Sequence, residues 1–333
     1  MKKRVLYYDF LRMLSTVAVV MLHISSVVCD AEKGSMEYWT GFFYNAPTRW
    51  AVPVFVMLSG ALFLDPHKEI PLKTLYSKYI LRLLVIYFSW AFVYPQLLWP
   101  LMAWIKGTTM KPVPPSFVYY YPGHLWFLPM LAGVYMMIPI LKLIAQKKKI
   151  MDYYLILWFL FSVVAFVSGV IADAIALLQV KLVLDYTGYF LLGYRLSVTE
   201  LETRKKTKLI LFFLVSLLLM YAMVILKPES HPCKPLAPNV ILLSASVFLL
   251  GKNLANRIDK ARVLKKVMEF VRGDLLGIFL IHPFYLDLLY KPEYIGGLHP
   301  AVSIPLFTVI IFLLSLITIK LLRIIPGVRY ICS

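Results

Sequence analysis

The sequence predicts an all-α integral membrane protein, a bundle of about ten transmembrane helices with both termini in the cytoplasm. Three observations predict it. Of the 333 residues, 61% are hydrophobic and only 16% are charged, where a soluble domain is roughly 45–50% apolar. The apolar residues gather in stretches long enough to cross a hydrocarbon layer. The 35 Lys and Arg residues fall between those stretches in clusters that alternate along the chain.

The ten stretches run over residues 10–29, 50–64, 79–100, 124–144, 152–171, 182–197, 208–226, 239–251, 274–290 and 302–322. The sixth and eighth barely reach across unless their flanks are helical. The intervening loops are short, no internal repeat is present, and one membrane domain over 1–333 is expected. With the N-terminus inside, 27 of the 35 basic residues lie on inner segments and eight on outer ones. This bias supports ten spans and cytoplasmic termini together. It also accounts for the net charge of +18, which on a soluble chain would point to nucleic acid. Lys2-Lys3-Arg4 before an apolar run resembles a signal peptide. The run is long, holds His23, and lacks a small-residue cleavage site, so a retained first helix is expected. Cys29, Cys233 and Cys332 have no metal-site spacing, and no metal is expected.

Ionisable residues inside apolar spans are costly and therefore point to function. His23 lies in the outer half of the first span and Arg12 eleven residues earlier. Eleven residues turn about 20° more than three whole turns and rise about 16 Å along the axis, so the two share a helix face. Asp9 and Thr16 fall on the same stripe. A polar stripe on an apolar helix should face the bundle interior or a wet cavity, although a core histidine bonded to a carbonyl would read the same way. Arg49 opens the second span, in which Pro53 should kink the helix and Ser59-Gly60 permit close contact. Its simplest reading is an interfacial anchor. Lys73, Lys78 and Arg82 cluster at the inner end of the third span, as topology anchors or as a phosphate site. His124 and Trp126 open the fourth span on the outer side, with His124 at a depth similar to His23. His282 sits in mid-span beside Pro283. No nucleophile elbow, Walker loop, dinucleotide fingerprint or zinc-protease motif occurs, so hydrolase, nucleotide-motor and metalloprotease readings have no support.

Four pieces resemble the acyltransferase 3 family, the multi-pass bacterial O-acyltransferases of surface glycans. They are Tyr8-Asp9-Phe10-Leu11-Arg12 with His23 eleven residues on, Arg49-x3-Pro53-Val-Phe55-x3-Ser59-Gly60, His124-Leu-Trp126-Phe127-Leu128, and Ile278-Phe-Leu-Ile-His282-Pro283. They keep the family's order from position 8 to 283, and the layout is similar to its O-acetyltransferases that consist of the membrane domain alone. Many relatives carry two arginines where this chain has Lys78 and Arg82, and lysine lacks the bidentate fork.

The resemblance implies transfer of an acyl group, commonly acetyl, from cytoplasmic acyl-CoA to a hydroxyl of an envelope glycan or glycolipid on the outer face of the bacterial inner membrane. It implies His23 as base or acyl carrier and Arg12 as its catalytic partner. Lys73, Lys78 and Arg82 would hold CoA phosphates, and Arg49, His124 and Trp126 would line the acceptor side. An exporter of lipid-linked or acylated glycans would use the same bundle without chemistry.

Overall fold

The computed structural model describes residues 5–109, 123–167, 185–200, 206–226, 233–290 and 297–332. The basic residues Lys2, Lys3, Arg4, Lys111, Lys181, Arg204, Lys205, Lys227 and Lys291, used in the topology count, lie outside them. Among the described residues every regular element is helical. The first three are α1 (Leu6–Val28), α2 (Met36–Asn45) and α3 (Ala51–Phe63). The long run α4 (Leu72–Ile105) holds two π turns, Leu75–Ile80 and Tyr94–Leu98. A 3-10 turn, Gly123–Trp126, leads into α5 (Phe127–Met136). Next come α6 (Ile138–Gln146), α7 (Lys148–Val167), α8 (Thr187–Val198), α9 (Lys206–Leu226) and α10 (Pro238–Asn253). The last four are α11 (Ala255–Lys260), α12 (Arg262–Val271), α13 (Leu275–Leu289) and α14 (Pro300–Leu322).

Among the described residues nine of the ten apolar stretches fall on one helix each, while the fourth is divided between α5 and α6; residues 168–171 and 182–184 of the fifth and sixth lie outside the description. Five segments are long and apolar enough to cross a membrane: Leu6–Val28, Met36–Phe63, Leu72–Ile105, Thr207–Leu226 and Pro300–Leu322. Gly123–Met136 and Ile138–Gln146 reach that length and apolarity only taken together, and they are bent by 57° at their junction. The second of these starts at Met36, not near residue 50 as expected. Met36, Trp39, Phe42 and Phe43 recur at helical spacing in what reads as a polar loop, and the break comes later, at a 3-10 turn over Ala46–Thr48 that contains Pro47. Leu211, Leu214, Leu218, Ile225 and Leu226 of α9 are exposed. Only lipid accommodates such a surface, because hydrocarbon supplies no hydrogen bonds and a helix satisfies its own backbone.

The chain divides into two compact units interleaved in sequence. The first takes Met1–Val19, Asn45–Glu69 and Met137–Phe270. Its centre is the crossing of α3 and α8, where two glycines meet backbone reciprocally. A Cβ on Gly60 would lie 1.8 Å from the Phe190 carbonyl oxygen, and one on Gly193 2.0 Å from that of Met57. Close backbone approach through small residues is how apolar helices associate where burial from water gives no drive. The C-terminus of α8 leaves carbonyls without helical donors. The Lys252 ammonium donates to those of Leu196, Ser197 and Thr199 at 3.1, 2.5 and 2.7 Å, and Arg195 of the same helix pairs with Asp152 at 2.7 Å.

The second unit takes Val20–Tyr44, Ile70–Met136 and Val271–Ser333. Val20 and Ile24 of α1 pack with Leu286 and Tyr290 at the end of α13 and Ile304 and Ile311 of α14. At the other end of α13, a Cβ on Gly277 would lie 2.5 Å from the Cys332 carbonyl oxygen and 2.7 Å from the Ile319 side chain. Trp90 Nε1 donates to the Ile331 carbonyl at 2.8 Å, so residues 331–332 are fastened to both α4 and α13.

Gly60→Val or Gly193→Val should prevent the α3–α8 crossing. Overpacking in a tight core costs about 1–3 kcal/mol or more, and here backbone cannot yield. Size-exclusion chromatography with a thermal ramp should show either variant as misfolded or markedly less heat-stable, whereas Gly133→Ala, with open space at its Cβ position, should behave as wild type.

Candidate functional site

Three histidines far apart in sequence meet inside the second unit. His282 lies on α13, fully buried, one residue before Pro283. Proline has no N–H, so the Phe279 carbonyl, which residue 283 would satisfy in a regular helix, is left without its backbone donor. The His282 ring turns back onto its own helix and fills the gap. Its Nδ1 lies 2.8 Å from the Phe279 oxygen and 3.2 Å from that of Ile278. Its Nε2 lies 2.7 Å from Nδ1 of His23 on α1, and the two ring planes are nearly parallel, 12° apart, with centroids 4.9 Å apart.

His124 belongs to the 3-10 turn before α5 and is buried. Its Nε2 donates to the Leu280 carbonyl at 3.0 Å, an oxygen that also accepts from Tyr94 Oη at 2.7 Å. The His124 ring meets His282 edge-on at a centroid distance of 5.9 Å and Tyr94 at 5.3 Å. His282 is therefore the residue bonded to His23, and His124 is the second neighbour of that pair. Trp126, two residues on, is half-buried and packs edge-on against Phe127.

Arg12 and His23 share α1, as the spacing implies, but eleven residues of helix separate them. Arg12 sits 4.0 Å from Asp9, and its carbonyl accepts from the buried Thr16 hydroxyl at 3.0 Å. In the first unit, Arg49 Nε donates to Oδ1 of the buried Asn45 at 2.6 Å.

The basic cluster on α4 is not brought together as a unit. Lys73 and Lys78 are exposed, and Lys78 lies 5.9 Å over the Tyr79 ring. Lys73 and Lys78 lie on or beside a π turn over Leu75–Ile80 and do not line the cavity that Arg82 lines. Arg82 shares that cavity, of about 680 Å³, with Asp274, Lys320, Arg323, Ile324, Arg329 and Tyr330. The buried carboxylate of Asp274 takes the Lys320 ammonium at 2.9 Å and pairs with Arg323. Four cations thus line the cavity with one carboxylate, a chemistry suited to anions, which arginine can take in bidentate fashion. Sequence reading counted Lys320, Arg323 and Arg329 only as inner-end charges. The missed signal was Asp274, an acid at the mouth of an apolar helix that needs cationic partners. Among the described residues no group of three His, Cys, Asp or Glu side chains is arranged to hold a metal ion.

Apolar membrane-length helices that bring together two buried histidines and a half-buried one describe a membrane protein with ionisable side chains inside a helical unit. Comparison with known families matches residues 5–320, nearly the whole chain, to the one described as Acyltransferase domain, acyltransferase 3. The protein belongs to this family and is a membrane acyltransferase. Neither a curated protein nor a solved structure matches the chain.

Tyr94→Phe leaves the Leu280 carbonyl with His124 as its remaining side-chain donor. The loss should be about 0.5–1.5 kcal/mol, read as a small drop in the unfolding midpoint with insertion intact.

Proposed function

We propose that the protein is an O-acyltransferase, in the simplest case an O-acetyltransferase. It would take its acyl group from cytoplasmic acyl-CoA and deliver it to a hydroxyl of an envelope glycan or glycolipid on the outer face of the bacterial inner membrane. Ten spans with both termini inside and a single membrane domain are part of this reading. The observation that carries it is the hydrogen-bonded pair of half-buried His23 and fully buried His282 in a chain of an acyltransferase family. An imidazole titrates near neutral pH and suits both proton transfer and acyl transfer.

In this scheme the cavity lined by Arg82, Lys320, Arg323 and Arg329 binds the phosphates of CoA, with Lys73 and Lys78 adding positive field at its approach. Asp274, at the cavity, and His282 lie on one helix eight residues apart, about 12 Å by the helical rise. A pantetheine arm would cover that distance and present the thioester near the histidines. His23 takes the proton of the acceptor hydroxyl as its oxygen attacks the thioester carbonyl. The carbon–sulfur bond then breaks, the new ester carries the acyl group, and the proton returns to the thiolate to give CoA. Transfer through an acyl-imidazole on His23 is the two-step version of the same exchange. Arg12 would steady the donor end, while Arg49, His124 and Trp126 would line the acceptor side, where an aromatic ring can stack on a sugar face.

His23→Ala and His23→Gln should both insert and both fail. General-base catalysis contributes about 10²–10⁴-fold, so acetyl-CoA turnover and the acyl mass on envelope glycans should fall at least that far. Near-normal transfer by His23→Gln would remove His23 from the chemistry, and a protein that never consumes acetyl-CoA would be an exporter.

For the donor site, Arg82→Ala and Arg323→Ala should weaken acyl-CoA binding and make it less salt-sensitive, while Asp274→Asn should tighten it. Calorimetric affinities unchanged in all three would place the donor elsewhere. Reporter fusions at Ser333 and within residues 30–35, between the first two membrane-length segments, should read inside and outside, and an external C-terminus would rule out ten spans.

A further inference from the structure

The hydrogen-bond chain from Phe279 through His282 to His23 determines where each ring carries its proton. A carbonyl oxygen only accepts. Nδ1 of His282, 2.8 Å from the Phe279 oxygen and 3.2 Å from that of Ile278, therefore bears hydrogen. In the neutral ring Nε2 is then a lone-pair acceptor. It lies 2.7 Å from Nδ1 of His23, so that nitrogen must donate. A neutral His23 protonated on Nδ1 keeps its lone pair on Nε2, the nitrogen on the side of the ring away from His282.

We propose that His282 is a positioning residue that holds His23 in its Nδ1–H tautomer, making Nε2 of His23 the nitrogen that receives the acceptor's proton. The proposal rests on the reading of His23 as the base of acyl transfer. Pro283 is part of the device, because it removes the backbone donor that would otherwise occupy the Phe279 carbonyl. When Nε2 of His23 takes a proton, the ring becomes a cation whose Nδ1–H still points at the His282 lone pair, so the charge forms against an oriented acceptor. In the serine hydrolase triad a carboxylate orients the histidine in this way. A carboxylate would be a permanent charge among buried apolar groups, where ionised side chains are costly. A neutral imidazole sets the tautomer without one. It also explains why His282 has its other nitrogen committed to backbone: a ring free to flip or change tautomer would present N–H to His23 and reverse the chain.

The test uses the full-length protein in lipid nanodiscs, with histidine rings labelled with 15N, in wild type and three variants. His282→Phe keeps a ring but offers no acceptor. His282→Gln places an amide oxygen near the position of Nε2. Pro283→Ala gives the Phe279 carbonyl a backbone donor that competes with His282. In wild type the lone-pair nitrogen signal of His23 should be that of Nε2. In His282→Phe it should divide between the two nitrogens, kcat should fall at least about 10²-fold, and KM for acetyl-CoA should stay within about twofold. His282→Gln should recover much of the loss, and Pro283→Ala should show a smaller loss of the same kind. A His282→Phe protein with wild-type kcat, or with the His23 lone pair still confined to Nε2, overturns the proposal. If that variant does not insert, wild-type spectra and turnover in Pro283→Ala overturn it instead. The spectral arm needs no turnover, so it judges the hold of His282 on His23 even if His23→Gln proves active and the base assignment itself fails.

Discussion

A carbonyl inside a hydrocarbon layer has nowhere to turn for a donor except the protein, and Pro283 deprives the Phe279 carbonyl of its ordinary one. The His282 ring answers that need at 2.8 Å, and from this one bond the arrangement of the second unit's polar interior follows. Its other nitrogen is turned toward α1 and meets His23. One residue further along α13, the Leu280 carbonyl draws Tyr94 from α4 and His124 from the turn before α5. Three polar side chains from three segments thus converge on one stretch of α13 because its backbone is not self-sufficient there.

Charge is handled by a similar rule at the helix ends. Asp274 is buried but meets Lys320 and Arg323, and the carbonyls ending α8 meet Lys252. In both cases the charged partner comes from a different helix, and at α8 the Lys252 ammonium also satisfies carbonyls that the helix terminus exposes. The Asp274 cluster differs in leaving cationic capacity over. Its carboxylate neutralises part of the charge around the cavity, and under the proposed donor scheme Arg82, Arg323 and Arg329 would supply the attraction for the phosphates of CoA.

The helical class and the positions of the ten apolar stretches were legible in the sequence, because the cost of exposing backbone to lipid writes itself into long local runs. The four motif elements were legible too, since each lies within one short local stretch of the chain. What pairs with what was not. His23 and His282 are 259 positions apart, and hydropathy carries no information about such a meeting. Depth along the membrane suggested His124 as the residue opposite His23, but the proline beside His282 was the stronger clue, since a freed carbonyl invites the nearest donor. The helix at Met36–Asn45 was hidden by its polar residues, and the π turn over Leu75–Ile80 has no sequence mark at all.

α9 shows how little of this chain's apolar surface is devoted to itself. Its 21 residues span about 31 Å at the helical rise, close to the thickness of a bilayer core, and much of its circumference is turned outward. A helix with so few neighbours has little to hold its tilt against the surrounding lipid. It therefore serves as a gauge: in a thicker or thinner bilayer the mismatch falls first on α9, and the lipid composition chosen for reconstitution selects the posture of this helix before it disturbs the histidines.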